Sequence, residues 1–271
     1  MSAARVVVVT GGTRGIGLGL SRELLARGHQ VAVCARSQAS IDEGVTVLRA
    51  GLADPGRVLG LVTDVSDRAA VQALWDAVSA HFGRVDLWIN NAGLSAPRGP
   101  LVAQLPATVD AVVQTNLIGA FNGSAIAQAG MAEQAGGGWI WNMEGFGSRG
   151  EHQPGMATYG ASKRAVHYLT EALVKDAKGT PVKVGFLSPG IVATDLLVGD
   201  YAGDPEGFEK VRRVFNILGD RVETVTPWLV DQMLGATKHG TRVAWLTKPK
   251  AMGRFMSAGF RKRDIFATGE A

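Results

Sequence analysis

The chain holds one cysteine and three tyrosines among 271 residues, and no apolar run reaches the ~18 uninterrupted residues that would suggest a membrane span. The single thiol, Cys34, cannot form an internal disulfide, and its place in the apolar stretch VAVCA marks a buried, inert side chain rather than a nucleophile. Repeats, linkers and low-complexity segments are also missing, so one domain is expected. Net charge is only +4, and the segment from Lys248 to Ala271 accounts for it: Lys248, Lys250, Arg254, Arg261, Lys262 and Arg263 stand against Asp264 and Glu270. The remaining body, residues 1–247, is formally neutral, which argues against nucleic-acid binding. In the basic extension, 248–271, cations alternate with Met252, Phe255, Met256, Phe260 and Ile265. Such a tail could lie on a membrane surface, or pack along the domain or an oligomer with its charges solvated. No cleavable signal precedes the first strand in MSAARVVVVT, so a cytoplasmic protein is expected.

What the chain has in quantity is glycine, 36 residues, beside 46% hydrophobic residues. That composition suits buried parallel strands joined by tight turns. Strand-like runs at Val6 to Val9, Val31 to Ala35, Val58 to Val65, Val85 to Asn90, Trp139 to Met143 and Val182 to Ser188 alternate with helical stretches, the longest from about Ala107 to Glu133. Repeated βαβ units predict an α/β fold: a single-domain, Rossmann-like, doubly wound parallel sheet with helices on both faces.

Two stretches carry the chemistry. RVVVVT runs directly into GGTRGIG and then a helical pattern. Gly11, Gly15 and Gly17, with Thr13, Arg14 and Ile16 between them, would bring backbone close to a phosphate at a helix N-terminus, as a dinucleotide requires. The end of the second strand reads CARS, without the carboxylate that binds a ribose 2′-hydroxyl. Arg14 and Arg36 instead favour a 2′-phosphate, hence NADP(H) over NAD. The second stretch ends in Tyr159 and Lys163, an i,i+4 pair on one helix face. An ammonium about 4 Å from the phenol, at an effective dielectric of about 20, is worth ~4 kcal/mol and would bring the phenol from ~10 toward ~7. Such a group can exchange protons.

Taken together, TGGTRGIG, NNAG at Asn90 to Gly93, Thr115 with Asn116, YGASK at Tyr159 to Lys163 and SPGIVATD at Ser188 to Asp195 resemble the short-chain dehydrogenase/reductase superfamily in order and spacing. NMEGFGSRG, YGASKRAVHYLT, LSPGIVATDLL and the basic tail are similar to the branch containing the plant chlorophyll b reductases. The resemblance implies hydride transfer between a nicotinamide and a small-molecule carbonyl or alcohol, with Tyr159 as proton donor or acceptor. Lys163 would tune the phenol and bind ribose, and Asn116 would hold a water between Lys163 and solvent. Asp64 and Val65 would hold the adenine. Asn90, Ala92 and Gly93 would border the ribose and phosphates, and Pro189, Gly190, Ile191 and Thr194 the nicotinamide. A homodimer or homotetramer is implied, with the helices around Asn116 and Tyr159 as candidate interfaces.

The family serine is missing from its usual place after the strand, where Asn142, Met143, Glu144 and Gly145 stand. Ser148 is the first serine after that strand and the expected substitute; a protonated Glu144 or backbone amides are the alternatives for holding the substrate oxygen. The displaced serine also leaves open a non-catalytic NADP-binding sensor or assembly subunit, although intact Asn116, Tyr159 and Lys163 weigh against it. The segment Asp195 to Val225 occupies the place of the family's substrate lid, and Leu196, Leu197, Tyr201, Phe208 and Phe215 suggest an apolar pocket there. On the chlorophyll b reductase resemblance, the substrate would be a tetrapyrrole carrying a formyl group.

Overall fold

The computed structural model describes residues 3–201, 203–259 and 263–267. Seven parallel strands form one sheet in the order β3-β2-β1-β4-β5-β6-β9. They are β1 (Val6–Thr10), β2 (Gln30–Ala35), β3 (Val58–Val62), β4 (Leu87–Asn90), β5 (Gly138–Met143), β6 (Val182–Ser188) and β9 (Arg242–Ala244). The expected doubly wound sheet is present, and strand order reverses between β1 and β4, where ligands bind in such folds. The final strand β9 was not expected from the sequence, because three residues give too short a run to show a period. The expected third strand stops at Val62; beyond it Thr63 lines the cavity and Asp64 is exposed.

Side-chain alternation along β1 assigns the two faces of the sheet. Val7 and Val9 pack with Leu20, Leu24, Val31, Val33, Leu229 and Met233, beneath α1 (Gly15–Ala26), α2 (Gln38–Arg49) and α9 (Val222–Gly235). Val6 and Val8 pack on the other face with Val71, Leu74, Ile126, Ala127 and Leu173, beneath α3 (Arg68–Phe82), α5 (Gly119–Glu133) and α6 (Ala157–Asp176). Both faces of each central strand are buried, so uninterrupted valine runs are what such strands require. Trp139 and Trp141 lie on one face of β5 with ring centroids 4.9 Å apart and an interplanar angle of 8°. Gly185 pairs with Trp141 across β6, and a Cβ there would overlap the indole.

The long helical stretch expected from 107 to 133 divides into α4 (Pro106–Val113), a π-helical turn at Gln114–Ile118 and α5. Beyond β6 a small parallel pair, β7 (Val192–Ala193) and β8 (Asp220–Arg221), frames two lid helices, α7 (Asp195–Gly199) and α8 (Pro205–Leu218). The basic segment begins as α10 (Lys248–Ser257), which packs on α8. Its cations are partly spent inside the fold. Arg254 reaches buried Asp220 at 2.7 Å, Arg263 contacts the same carboxylate, and Lys250 lies 3.0 Å from the Trp245 ring centroid. Met252, Phe255 and Met256 remain exposed, whereas Ile265 packs beneath the lid. Phe260, Arg261, Lys262 and Glu270 of that tail lie outside the described residues. Among the described residues no helix is long and apolar enough to cross a membrane.

Helices α3 and α5 meet where Gly130 faces Trp75 with no room for a Cβ. Gly130→Ala should therefore cost about 1–3 kcal/mol through overpacking, visible as a lower urea midpoint with an unchanged denaturant slope.

Candidate active site

The site begins at the strand-order reversal. The Thr10 hydroxyl accepts from the N–H groups of Asn91 and Ala92, both at 3.0 Å. The Asn91 amide donates to the carbonyls of Thr10 at 2.8 Å and Gly11 at 3.2 Å. These bonds join the end of β1 to the end of β4 and fix the glycine turn between them. Gly11 has φ +62°, and a Cβ on it would lie 2.9 Å from Ala92 Cα. A Cβ on Gly17 would overlap the Gly11 carbonyl oxygen and lie 2.5 Å from Asn91 Nδ2. Helix α1 starts at Gly15 with no side chain capping it and no acid in its first turn, leaving its N–H groups directed at the cavity mouth. That donor set fits the phosphates of a dinucleotide.

A cavity of about 950 Å³ runs from this turn along the carboxyl ends of the strands to the lid. Gly11, Thr13, Arg14, Gly15, Ile16 and Gly17 line one end, with Ala35 and Arg36. Val65, Ala92, Gly93, Tyr159, Lys163, Pro189, Gly190, Ile191 and Thr194 line its length. Cys34 also borders it, and burial pushes its thiol up to about 11, consistent with an inert side chain.

Several expected residues sit elsewhere. Asn90 is buried beneath the cavity, donating to Ser124 Oγ at 3.0 Å and Asn142 Oδ1 at 2.7 Å while accepting from Trp88 Nε1. Its neighbour Asn91 is the member of the pair that reaches the cavity. Asp64 is turned to solvent and accepts from the Ser66 hydroxyl and N–H, which hold its carboxyl below the usual range. Thr63 and Val65 on either side of it line the cavity. Both one-residue displacements fall at or just past a strand end, where the chain leaves the sheet and the loop path decides which side chain meets the cavity. Ser37 and Ser40, which also line the cavity near Arg36, were missed. Ser37 caps α2, so the helix-start signal was legible although the ligand role was not.

The chemistry end is built by β5, α6 and the loop after β4. Lys163 is buried and its ammonium donates to the Met143 carbonyl at 3.2 Å. Burial lowers it to about 8, against an opposing pull from Glu144. Tyr159 is half-buried and lines the cavity. Burial, and next Asp200, push its phenol upward. This reverses the expected depression: the Lys163 charge is directed at Met143, and burial dominates at the phenol. Asn116 sits in the π turn with its side chain engaged by the loop after β4. It accepts from Leu94 N–H at 2.7 Å and donates to Leu94 O and Ser162 Oγ, each at 2.9 Å. A Cβ on Gly93 would lie 3.4 Å from Asn116 Oδ1 and 3.7 Å from Lys163 Nζ, so these three groups do converge.

Ser148 does not reach the cavity. Its buried hydroxyl accepts from Gly145 N–H at 3.0 Å and donates to the Lys163 carbonyl at 3.3 Å, which makes it a brace of the loop after β5. Glu144 is likewise committed: His167 Nδ1 lies 2.7 Å from one oxygen, and Arg242 donates to the other from Nε at 2.8 Å. Arg242 also reaches Ser188 Oγ at 3.1 Å, tying the loop after β5 to the strand that leads into the nicotinamide motif. Gly145 is the residue beside Tyr159. Even a Cβ at this position would overlap the phenol oxygen.

Residues 5–203 match the family model described as short chain dehydrogenase. The chain belongs to the short-chain dehydrogenase family of oxidoreductases, which use a nicotinamide cofactor. It is 32% identical over 276 residues to the Arabidopsis thaliana protein named "Probable chlorophyll(ide) b reductase NYC1, chloroplastic", covering 97% of this chain and 54% of that protein. It is 34% identical over 259 residues to the rice (Oryza sativa subsp. japonica) chlorophyll(ide) b reductase NOL, chloroplastic, covering 93% and 74%. The chain thus spans about half the length of the first relative. Among solved structures, levodione reductase matches with TM-score 0.79 and 27% identity over 91% of this chain and 98% of that one. The cytoplasmic location expected above is overturned by the plant relatives, which are chloroplastic and point to that compartment.

Glu144 is 3% exposed and its partner Arg242 about one-third exposed. Glu144→Gln should cost about 3 kcal/mol, discounted from the upper range for a broken buried ion pair because Arg242 retains water, and appear as a lower urea midpoint.

Proposed function

We propose that the protein is an NADPH-dependent carbonyl reductase acting on a bulky, largely apolar substrate. The observation that carries this reading is the single cavity joining the glycine turn, Tyr159 and the apolar lid. At its far end Leu196, Leu197, Val211, Val214, Phe215 and Leu218 line the wall. Tyr201 and Phe208 support that wall instead, stacking edge to face with centroids 5.6 Å apart and packing with Phe215 and Phe266.

Arg14, Arg36, Ser37 and Ser40 would hold a 2′-phosphate, with no acid at Ala35 to repel it. The bound nicotinamide would supply hydride to the carbonyl carbon. Tyr159 would give its proton to the carbonyl oxygen, a role suited to a phenol that burial keeps protonated. Lys163, charged below about 8, would hold the ribose and favour the phenolate left after proton transfer. Asn116 would keep the loop after β4 seated on α6 so that Gly93 and Lys163 stay together.

A second reading, reduction of a tetrapyrrole formyl group, is favoured by the 32–34% identity to the plant chlorophyll b reductases over more than nine-tenths of this chain. A homodimer fits the exposed Phe121 and Tyr168 on α5 and α6. The exposed Met252, Phe255 and Met256 on α10 leave a peripheral membrane contact as a role for the tail.

Purified protein should oxidise NADPH with a panel running from small ketones to a formyl-bearing tetrapyrrole. Turnover should fall by about 10²–10⁴-fold in Tyr159→Phe. Turnover with small ketones alone would sink the bulky-substrate reading, and tight NADPH binding without turnover on any probe would favour a sensor. Replacing both Arg14 and Arg36 with alanine should weaken NADPH binding by about 10-fold or more while sparing NADH. The rate should also fall as pH rises through about 8 and Lys163 loses its charge; in Glu144→Gln, without the carboxylate that opposes this loss, the fall should begin at lower pH.

A further inference from the structure

Asp200 follows α7 in the lid and is 7% exposed, yet its carboxylate has no ion-pair partner among the described residues. The other buried acid in this part of the fold, Asp220, is held by two arginines. The Asp200 backbone carbonyl accepts from the Arg98 N–H at 3.0 Å, joining the lid to the loop after β4. Arg98 lies over the Tyr201 ring, 4.5 Å from its centroid, while Arg98 Nε, Ser95 Oγ and the Tyr201 hydroxyl are buried without well-formed hydrogen bonds. Asp200, Arg98 and Tyr159 line the same cavity. Asp200 and Arg98 thus reach the cavity wall on which Tyr159 also stands, with Ser95 and Tyr201 behind them, and Asp200 is close enough to act on the phenol; a buried carboxyl without an ion pair on that wall is a group that a ligand oxygen would satisfy.

We propose that Asp200, backed by Ser95 and Arg98, is the catalytic residue that hydrogen-bonds the substrate oxygen beside Tyr159. It takes the part left open by Gly145, which has no side chain, and by Ser148, whose hydroxyl is engaged with backbone. This assignment rests on the carbonyl reductase reading. The protonated carboxyl donates to the carbonyl oxygen while Tyr159 transfers its proton to that same atom. Burial raises Asp200 to about 6 against the opposing pulls of Ser95 and Arg98. An apolar substrate that excludes water extends the shift in the same direction. At this end of the cavity the charged and titratable groups are Arg98 after β4, Glu144 after β5, Tyr159 and Lys163 on α6 and Asp195 on the lid, with Tyr201 and Asp204 following Asp200 along the chain. Glu144 is bound to Arg242 and His167, and Lys163 to Met143, leaving Arg98 as the cation that acts on Asp200.

The test compares wild type, Asp200→Asn and Asp200→Leu with NADPH and two probes, 2-decalone and a formyl-bearing tetrapyrrole, from about pH 5 to about pH 8. Wild-type kcat/KM should fall as pH rises through about 6 or just above. Asparagine keeps a donor without titrating, so Asp200→Asn should lose that fall and stay within about 10-fold of wild type. Asp200→Leu should lose about 100-fold or more, with NADPH binding and melting temperature retained. Carbon-13 titration of the Asp200 carboxyl, assigned by its loss in Asp200→Asn, should give a midpoint that rises when 2-decalone is added. An active wild type with an equally active Asp200→Leu, or an Asp200→Asn as impaired as Asp200→Leu, would overturn the proposal alone, as would an unmoved carboxyl midpoint. An inactive wild type overturns the reductase reading and this assignment with it.

Discussion

The site depends on the side-chain lock between Thr10 and Asn91, which holds the ends of β1 and β4 together at the strand-order reversal. A glycine turn is too flexible to keep a phosphate cradle by itself. Here its first carbonyl is held by the Asn91 amide, and Gly11, Gly12 and Gly17 face atoms too close for any side chain. The same lock sets the path of the loop after β4. That loop continues through Gly93 and Leu94 to the Asn116 amide, so the cradle and the chemistry end are joined by consecutive residues.

The architecture was legible because buried parallel strands leave plain marks. The valines of β1 occupy both faces, and glycine follows the strand wherever backbone must approach backbone. Tyr159, Lys163 and the glycine turn were legible as well, since each depends on spacing within one element. Asn90, Asp64 and Ser148 were not. Asn90 and Asp64 each stand one position from a residue that does line the cavity, a difference set by the path of the chain at the strand ends. Ser148 is turned inward by a loop whose hydrogen bonds to Gly145 and Lys163 form only in the folded chain. The lid cluster around Asp200 brings together residues 95, 98, 159 and 200, and no local pattern announces such a meeting.

The basic tail illustrates how composition overstates free charge. Burial alone would push the Asp220 carboxyl up, yet Arg254, Trp245 and Arg263 outweigh it and hold the group below the usual range. Two of the tail's cations therefore neutralise an acid beneath the lid. The extension also supplies Phe266 to the aromatic cluster behind the cavity wall. The lid, β8 and the described part of the tail thus pack together behind the apolar end of the cavity.

The altered loop after β5 follows from the same competition between burial and pairing. Glu144 takes a place where the family keeps a small polar residue, and a buried carboxylate there must find cations. It finds Arg242 on the last strand and His167 on the helix that bears Tyr159. That network braces three elements around the phenol and occupies both Glu144 oxygens. Gly145 must then be small, because the braced loop runs against the Tyr159 oxygen. A loop fixed in this way cannot return a hydroxyl to the reacting oxygen by one substitution. On the carbonyl reductase reading, the polar partner proposed above comes from the facing wall, the lid, where Asp200 lines the cavity.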